Sequence, residues 1–281
     1  MLRFLLSFLV FVIFPTVYFS QENNYPKIID SSSGELISHS VISEKFRKND
    51  VLIIGEEHDD VAGHAEKLKL LQNLSKTHSV VLSLEIFEKD QQVILDEYLG
   101  GYITEAKFNE TMRLWKNYES AYKPLVEFAK ANKIKVVAAN TPRRYVNMLG
   151  LEGIGKLKTL GAASKVFLPP LYLVTAFIQN EYDEKLKKAL GDHKLKNFSY
   201  NTILAQHLWD AGMADSIAQE LFSGNSKIIH VNGRYHSDEG MGVTYRLKQI
   251  GISVLTISMF PGKVRSKDDK KFADIIYYTG E

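Results

Sequence analysis

Two short motifs of the form Gly-x-x-His each follow an apolar run, and their side chains are of types that bind metal ions or move protons. The first is Gly-Glu-Glu-His at residues 55–58, and the second is Gly-Arg-Tyr-His at residues 233–236. Glu56 and His58 are two residues apart, so in an extended chain their side chains project to the same side and converge on one ion or proton. The alternative is a helix N-terminus, where acidic side chains such as Glu57 are stabilised by the helix dipole.

A third candidate is Glu85, which follows the apolar run from Val80 to Leu84. Its carboxylate therefore lies at the end of a strand that is expected to be buried. A buried carboxylate requires a metal ion, a cation or hydrogen-bond donors. Arg143 or Arg144, which follow another apolar run, could provide that cation in a structural ion pair. The residues alone leave both a ligand role and a structural role open for Glu85.

Two histidines and two carboxylates together form a candidate metal site. This mixture of imidazole and carboxylate suits Zn, Mn or Fe. The candidate ligands are Glu56, His58, Glu85 and His236. Their spacing spans most of the chain, so only a fold that places the apolar runs side by side can assemble them. His230, inside the run that precedes His236, is interpreted as a packed core histidine instead.

The apolar runs that deliver these side chains have the composition of buried strands. Runs at 51–54, 79–84, 136–139 and 228–231 each end in a polar cluster, and a fifth strand is expected at 253–257. Apolar residues at three- and four-residue spacing predict helices at 64–74, 91–99, 105–115, 122–132 and 202–222. This alternation predicts an α/β fold with a mostly parallel β-sheet and helices on both faces. The polar clusters then lie at the carboxyl edge of the sheet, where such sheets bind ligands.

One domain is expected at residues 45–260, followed by a C-terminal extension or an edge strand within 261–281. Residues 161–198 fit the alternation badly, because they mix apolar with charged residues, and they are interpreted as an irregular or helical lid-like excursion. Residues 1–20 carry one charge, Arg3, before an apolar stretch that ends in small and polar residues. This order predicts a secretory signal peptide, and the alternative is an uncleaved membrane anchor.

The composition excludes several kinds of site and partner. The chain has no cysteine, which removes disulfides, thiolate metal sites and a lipidated cysteine. Its formal charge is +2, with Lys and Arg scattered among acidic residues. A phosphate backbone requires a clustered basic face, and nucleic acid is therefore not expected as a partner.

Motifs along the chain come in an order shared with a known family. They are Ile54-Gly55-Glu56-Glu57-His58, Leu84-Glu85-Ile86-Phe87 with Gln91 and Gln92, Tyr122-Lys123-Pro124-Leu125, Ala138-Ala139-Asn140-Thr141-Pro142-Arg143, Leu168-Pro169-Pro170, Gln206-His207-Leu208-Trp209-Asp210 with Met213-Ala214, and Asn232-Gly233-Arg234-Tyr235-His236. This arrangement resembles the ChaN-like haem-binding uptake proteins of the Tiki superfamily, and the resemblance covers about residues 45–260.

The resemblance implies an α/β fold and, for ChaN-like members, haem binding linked to iron acquisition, often as an exported lipoprotein. This chain has no cysteine to lipidate, so we expect export to the periplasm or to a membrane without a lipid on Cys. Relatives in the wider superfamily resemble metal-dependent hydrolases. Transferred to the matching positions of this chain, the site of these relatives would consist of Glu56, His58, Glu85 and His236.

The first functional hypothesis is therefore an exported haem-binding protein with no chemistry of its own. Tyr172 and Tyr182, ahead of His193, are its expected iron ligands, and Arg143 is expected beside the haem. Its expected partners are haem, a second copy of the chain, and an outer-membrane haem receptor or another uptake component.

The alternative hypothesis is an enzyme, a metal-dependent hydrolase of the Tiki and erythromycin-esterase-like kind. In it the four candidate ligands bind a divalent ion, and the metal-bound water attacks an amide or an ester with Glu57 or Glu56 as the base. The sequence leaves open whether any catalysis occurs and names no substrate.

Overall fold

The protein is built around one mixed β-sheet of seven strands. The computed structural model describes residues 25–192, 199–224, 226–262, 264 and 266–280. The strands are β1 (Lys27–Asp30), β2 (Val51–Glu56), β3 (Val80–Glu88), β4 (Val136–Asn140), β5 (Lys227–Gly233), β6 (Val254–Phe260) and β7 (Ile275–Tyr278). Their order across the sheet is β1-β7-β6-β2-β5-β3-β4. Neighbouring strands are parallel, except that β1 is antiparallel to β7.

The mostly parallel sheet predicted from the apolar runs is confirmed. Strands such as β2 and β4 are buried along their whole length, which is why they stand in the sequence as continuous apolar runs. β1 is not predicted by the apolar runs, because it has only four residues, which alternate between half-buried and buried. β1 pairs with β7, so the strand at the end of the chain is not the edge strand that was expected within 261–281.

Helices connect the strands. They are α1 (His39–Arg47), α2 (Val61–Leu74), α3 (Gln92–Leu99), α4 (Glu105–Thr111), α5 (Tyr118–Ala121), α6 (Lys123–Ala131), α7 (Arg143–Glu152), α8 (Ile154–Lys158), α9 (Ala162–Lys165), α10 (Tyr172–Ala176), α11 (Asn180–Asp192), α12 (Tyr200–Ser223) and α13 (Gly242–Gln249). The five helices predicted from periodicity are present with shifted ends. The largest shift is in α4, which ends at Thr111 and not at Trp115, because Met112 takes an extended conformation.

Helices cover both faces of the sheet, as predicted. On one face, Leu52 and Ile54 belong to a core cluster shared with α1, α2 and α6. On the other face, Ile53 and Val81 pack in a second cluster with α12 and α13, where Met213 is one of the contacts. Because alternate residues of a strand point to opposite faces, the side chain at each strand end is directed either towards α2 and α6 or towards α12.

Residues 161–198, expected to be a lid-like excursion, form α9, α10 and α11 as far as Asp192. α10 packs against α12 through a separate apolar cluster that includes Val174 and Leu208. α11 packs through Tyr182 and Leu186. This part of the chain is therefore a helical layer on α12.

Two predictions fall on parts of the chain that are not described. The signal segment at residues 1–20 and His193 both lie outside the described residues. Across the described ranges, no helix is long and apolar enough to cross a membrane.

Candidate functional site

The three central strands bring both Gly-x-x-His motifs and Glu85 to one place at the carboxyl edge of the sheet. β2 and β5 are adjacent with Glu56 opposite Gly233, and β3 lies on the other side of β5 with Leu84 opposite Val231. Glu85 Oε2 accepts a hydrogen bond of 2.6 Å from the backbone N–H of Gly233. The end of β5 is thus the centre around which the predicted residues are arranged.

Glu56 and Glu85 nevertheless point to opposite faces of the sheet. Glu56 continues the alternation of Leu52 and Ile54 towards α2 and α6. Glu85 reaches the α12 side, where its Oε1 lies 3.7 Å from His236 Nε2. The single cleft expected for the four predicted ligands is therefore divided into two pairs, Glu56 with His58 and Glu85 with His236.

On the α2 side, five polar residues form a network, buried except at His58, that we call the Glu56 cluster: Glu56, His58, His64, Lys67 and Tyr122. The Lys67 ammonium forms an ion pair with Glu56 Oε2, and the Tyr122 hydroxyl donates to Oε1. His58 Nδ1 lies 2.9 Å from the same Oε1. His64 donates from Nε2 to the His58 carbonyl oxygen at 3.1 Å and accepts from Lys67 Nζ at Nδ1, at 2.7 Å. The cluster fixes the loop that carries His58.

Burial controls the protonation of this cluster. Desolvation lowers the pKa of Lys67 well below its usual value and also lowers the pKa of His64. Desolvation, helped by the charge of Glu85, raises the pKa of Tyr122. His64 is therefore neutral and Tyr122 is a hydroxyl donor at neutral pH. Glu56 and Lys67 form an ion pair in which each charge offsets the cost of burying the other.

On the α12 side, His236 lies between two carboxylates. Its Nδ1 is 2.6 Å from Asp210 Oδ1, and its Nε2 faces Glu85. Asp210 projects from α12 and is fully buried. Burial alone would lower the pKa of His236, but the charges of Glu85 and Asp210 outweigh it and raise the pKa to about 9. His236 is therefore an imidazolium at neutral pH and donates its Nδ1 proton to Asp210.

The ring of His58 lies beside the end of β5, between the two pairs. A Cβ on Gly233 would lie 2.8 Å from His58 Nε2, so the ring occupies space that only glycine leaves open. The His58 side chain is 42% exposed, whereas Glu56 is buried. Its Nδ1 bonds to Glu56, and within the described residues its Nε2 makes no hydrogen bond. His58 therefore has a partly exposed ring whose Nδ1 is held by Glu56 and Tyr122.

Both tryptophans of the chain contact the histidines of this site. Trp115 meets the His58 ring edge-on with 4.8 Å between centroids, and Trp209 meets the His236 ring in the same way at 6.5 Å. The Arg143 guanidinium lies 6.0 Å from the centroid of the Trp209 ring. The site thus has one aromatic wall on each side.

Trp115 and Arg143 also line an open cavity of about 770 Å³. Its other walls are Glu88, Arg113, Leu114, Lys116, Asn117 and Arg144. Asn117 donates to the His58 carbonyl oxygen at 2.7 Å, which joins the cavity wall to the His58 loop. Four cationic side chains face the cavity against one carboxylate, so the cavity favours an anionic ligand.

The predicted metal site is not assembled. In the part of the chain that the structure describes, no group of three or more His, Asp or Glu side chains is placed to hold a metal ion. The physical reason is that Glu56 is paired with Lys67, and His236 with Asp210, on opposite faces of the sheet. The hydrolase alternative is not favoured by this arrangement. Glu57, its other candidate base, lies 3.3 Å from Arg234 in an ion pair.

The predicted iron ligands lie in different environments. Tyr182 is fully buried on α11, and burial raises the pKa of its phenol well above the usual value. This placement does not favour its expected role as an iron ligand, because a phenolate ligand must ionise and reach the iron. Tyr172 is 69% exposed at the start of α10 and stays a prediction.

Sequence reasoning assigned no role to Lys67, Asp210 or Trp115. Asp210 had a local signal, since it is a charged residue inside an otherwise apolar stretch of α12 and so needs a buried partner. Lys67 had none, because only the rotation of α2 in the fold distinguishes it from the exposed Lys69. Trp115 follows the end of α4, in a loop that was expected to be helical.

The fold and the site define an α/β protein with a ligand cleft at the carboxyl edge of a mostly parallel sheet. The chain belongs to the family described as haem-binding uptake, Tiki superfamily, ChaN, whose model matches residues 42–247. The family that the sequence motifs suggested is therefore confirmed.

The chain is also similar to a solved structure and to a plant protein. The structure of ChaN of Campylobacter jejuni, described for its cofacial haem binding, has a TM-score of 0.66 and 19% identity, and covers 91% of this chain and 97% of that chain. At this identity the likeness shows the shared fold alone. The chloroplastic protein RETICULATA-RELATED 5 of Arabidopsis thaliana is 24% identical over 264 residues, which cover 84% of this chain. The chain spans only 35% of the length of that protein.

Proposed function

We propose that this protein binds haem in the cavity beside His58 and takes part in the handling of haem or iron outside the cytoplasm. The observation that carries the proposal is the contact between His58 and Trp115, in which a partly exposed imidazole meets an aromatic side chain of the cavity wall. Membership of the haem-binding uptake family supports haem as the ligand.

Residues at the cavity, and His58 beside it, suit each part of a haem molecule. Haem supplies an iron that takes an axial nitrogen or phenolate ligand, and His58 offers Nε2 while Glu56 holds its Nδ1. Trp115 and Leu114 provide wall area for the flat porphyrin. The cavity volume of about 770 Å³ lies in the usual range for cofactor sites, about 300–1,000 Å³.

The two haem propionates require cations. Arg143 and Lys116 line the cavity, and neither forms an ion pair with any residue that the structure describes. The other two cations are already paired, since Arg113 binds Glu88 and Asp90, and Arg144 also binds Asp90. Arg143 and Lys116 are therefore the proposed propionate partners.

A haem titration of four proteins tests this proposal: the parent, His58→Ala, Tyr172→Phe and Tyr182→Phe. We expect a saturable change of the Soret band in the parent at micromolar haem, loss of that spectrum in His58→Ala, and no change in Tyr182→Phe because Tyr182 is buried. If Tyr172→Phe loses the Soret spectrum and His58→Ala retains it, the iron ligand is Tyr172 and not His58. A parent without a saturable Soret change would overturn the proposal.

Export is the second part of the proposal. It is supported by the charged, apolar and then small-residue order of residues 1–20, with processing near Gln21. In the periplasm, or at a membrane if the segment stays attached, the proposed partners are a second copy of the chain and an outer-membrane haem receptor or another uptake component. Cell fractionation with mass spectrometry of the N-terminus tests the location. An intact Met1 on soluble cytoplasmic protein would contradict export, and an intact Met1 in membranes would identify an anchor.

A further inference from the structure

A second, much smaller cavity lies between α10, α12 and α13 and shares no lining residue with the cavity beside His58. Its volume is about 70 Å³. Its apolar wall is formed by Leu173, Phe177, Ala214, Ala218 and Ile250. Two charged side chains also line it, Arg246 of α13 and Asp215 of α12.

Arg246 is a buried guanidinium whose hydrogen bonds are incomplete. Its side chain is only 3% exposed. Nη1 donates to the Phe177 carbonyl oxygen at 3.3 Å, while Nη2 donates to the Val174 carbonyl oxygen at 3.4 Å and to His207 Nδ1 at 3.0 Å. Its Nε has no hydrogen-bond partner in the described part of the chain. Arg246 lines the cavity, and a buried N–H donor without an acceptor is unfavourable.

The carboxylates nearest to Arg246 already have other partners. Asp183 bonds to His207 Nε2 at 2.7 Å, and Asp210 bonds to His236 Nδ1 at 2.6 Å. Asp215, on the cavity wall, pairs with Lys89 at 2.8 Å. Arg246 forms no ion pair with a carboxylate of the described residues. Burial lowers the pKa of its guanidinium, and electrostatic interactions with Asp210, Tyr182 and Asp183 offset this only in part. A buried charge of this kind requires a partner.

We propose that this cavity binds a small monocarboxylate, of about the size of acetate to butyrate, with the carboxylate on Arg246 and the alkyl group against Phe177 and Ala218. One water molecule needs about 10–15 Å³ of cavity volume, so about 70 Å³ admits an occupant of a few heavy atoms. The apolar wall selects an alkyl group over a fully hydrated inorganic anion, and the guanidinium is a planar donor suited to a carboxylate.

Binding of sodium propionate to the purified full chain tests the proposal, with saturation-transfer NMR on the propionate methyl group as the readout and sodium chloride at equal ionic strength as the reference. We expect saturable binding in the parent. Arg246→Met should weaken it about tenfold or more, because the charge-assisted hydrogen bond is lost. Ala218→Leu should weaken it as strongly, because the added side chain fills the cavity while Arg246 remains.

Two matched variants separate this site from other cations. Lys248→Met removes an exposed charge from the same helix and should bind propionate like the parent. Arg143→Gln removes the proposed haem propionate partner and should also bind like the parent. No saturable transfer in the parent beyond the chloride reference, or equal binding by the parent and Ala218→Leu, would overturn the proposal. If Arg246→Met fails to fold, the Ala218→Leu variant decides alone.

Discussion

The imidazole of His58 packs against the bare Cα of Gly233. A methyl group there would lie 2.8 Å from Nε2 and 3.0 Å from Cε1 of the ring. The backbone of Gly233 has φ −59° and ψ 131°, which any residue can adopt. A side chain at this position would displace the His58 ring, so the close approach of the histidine, and not backbone conformation, favours glycine here. This contact makes the position of His58, at the end of β2, depend on the end of β5.

The substitution Gly233→Ala should displace His58 without unfolding the protein. Because the imidazole would lose its position against β5, we expect haem affinity to fall about tenfold, as for changes that reorient a metal ligand. Haem titration followed at the Soret band measures this. Gly155→Ala is the matched control, since nothing lies within 4 Å of its new Cβ. Equal affinity of Gly233→Ala and the parent would show that His58 does not need this position.

The imidazolium of His236 should make stability depend on pH. Its folded pKa of about 9 lies above the unfolded value of about 6.5, so the stabilisation is fully present below pH 6.5 and is lost as the pH rises towards 9. The parent should therefore exceed His236→Gln in free energy of unfolding at pH 6, by at most about 3 kcal/mol, and this excess should shrink by pH 9. Urea unfolding at several pH values measures it, and a constant difference would contradict the raised pKa.

Removal of Lys67 should strongly destabilise the fold, because it leaves the Glu56 carboxylate buried without its cation. We expect Lys67→Met to lower the free energy of unfolding by about 3–5 kcal/mol, and the double variant Glu56→Gln with Lys67→Met to regain most of the loss. Lys69→Met, at an exposed ion pair on the same helix, should cost less than about 1 kcal/mol. Urea unfolding compares the four proteins. A double variant no more stable than Lys67→Met would show that Glu56 is not the partner that matters.

The sequence predicted the central sheet and the edge at which the site lies. Strands β2 to β6 are buried on both faces or nearly so, which produces continuous apolar runs, and parallel strands then place their polar ends together. The faces towards which Glu56 and Glu85 point could not be predicted. A run that is apolar at every position carries no alternation, so it does not tell which residues face α2 and which face α12.

The partners within the site depend on helix rotation and tertiary packing. Lys67 and Lys69 have the same residue type on one helix, yet one is buried against Glu56 and the other is exposed. Tyr172 and Tyr182 were treated alike because both lie in residues 161–198, whereas packing of α11 on α12 buries Tyr182 completely. Residue type and spacing do not encode such contacts between distant segments.

Arg143 should contribute to haem affinity through a propionate. Arg143→Gln should weaken haem binding about three- to fivefold, as for an exposed charge pair, and should leave the binding of haem dimethyl ester unchanged. Arg47→Gln, on α1, is the control and should change neither. Titrations with both ligands measure the difference. An equal loss for haem and for its dimethyl ester would assign Arg143 a packing role against Trp209.

The central claim is that haem binds in the cavity beside His58 and Trp115. The most direct measurement is a haem titration of the parent protein in which the Soret band and the tryptophan emission are recorded together. Both tryptophans of the chain contact histidines of the site, so bound haem should quench their emission. We predict that both signals saturate at the same micromolar haem concentration. Absence of a saturable Soret change, or Soret saturation with unchanged tryptophan emission, would contradict haem binding at this site.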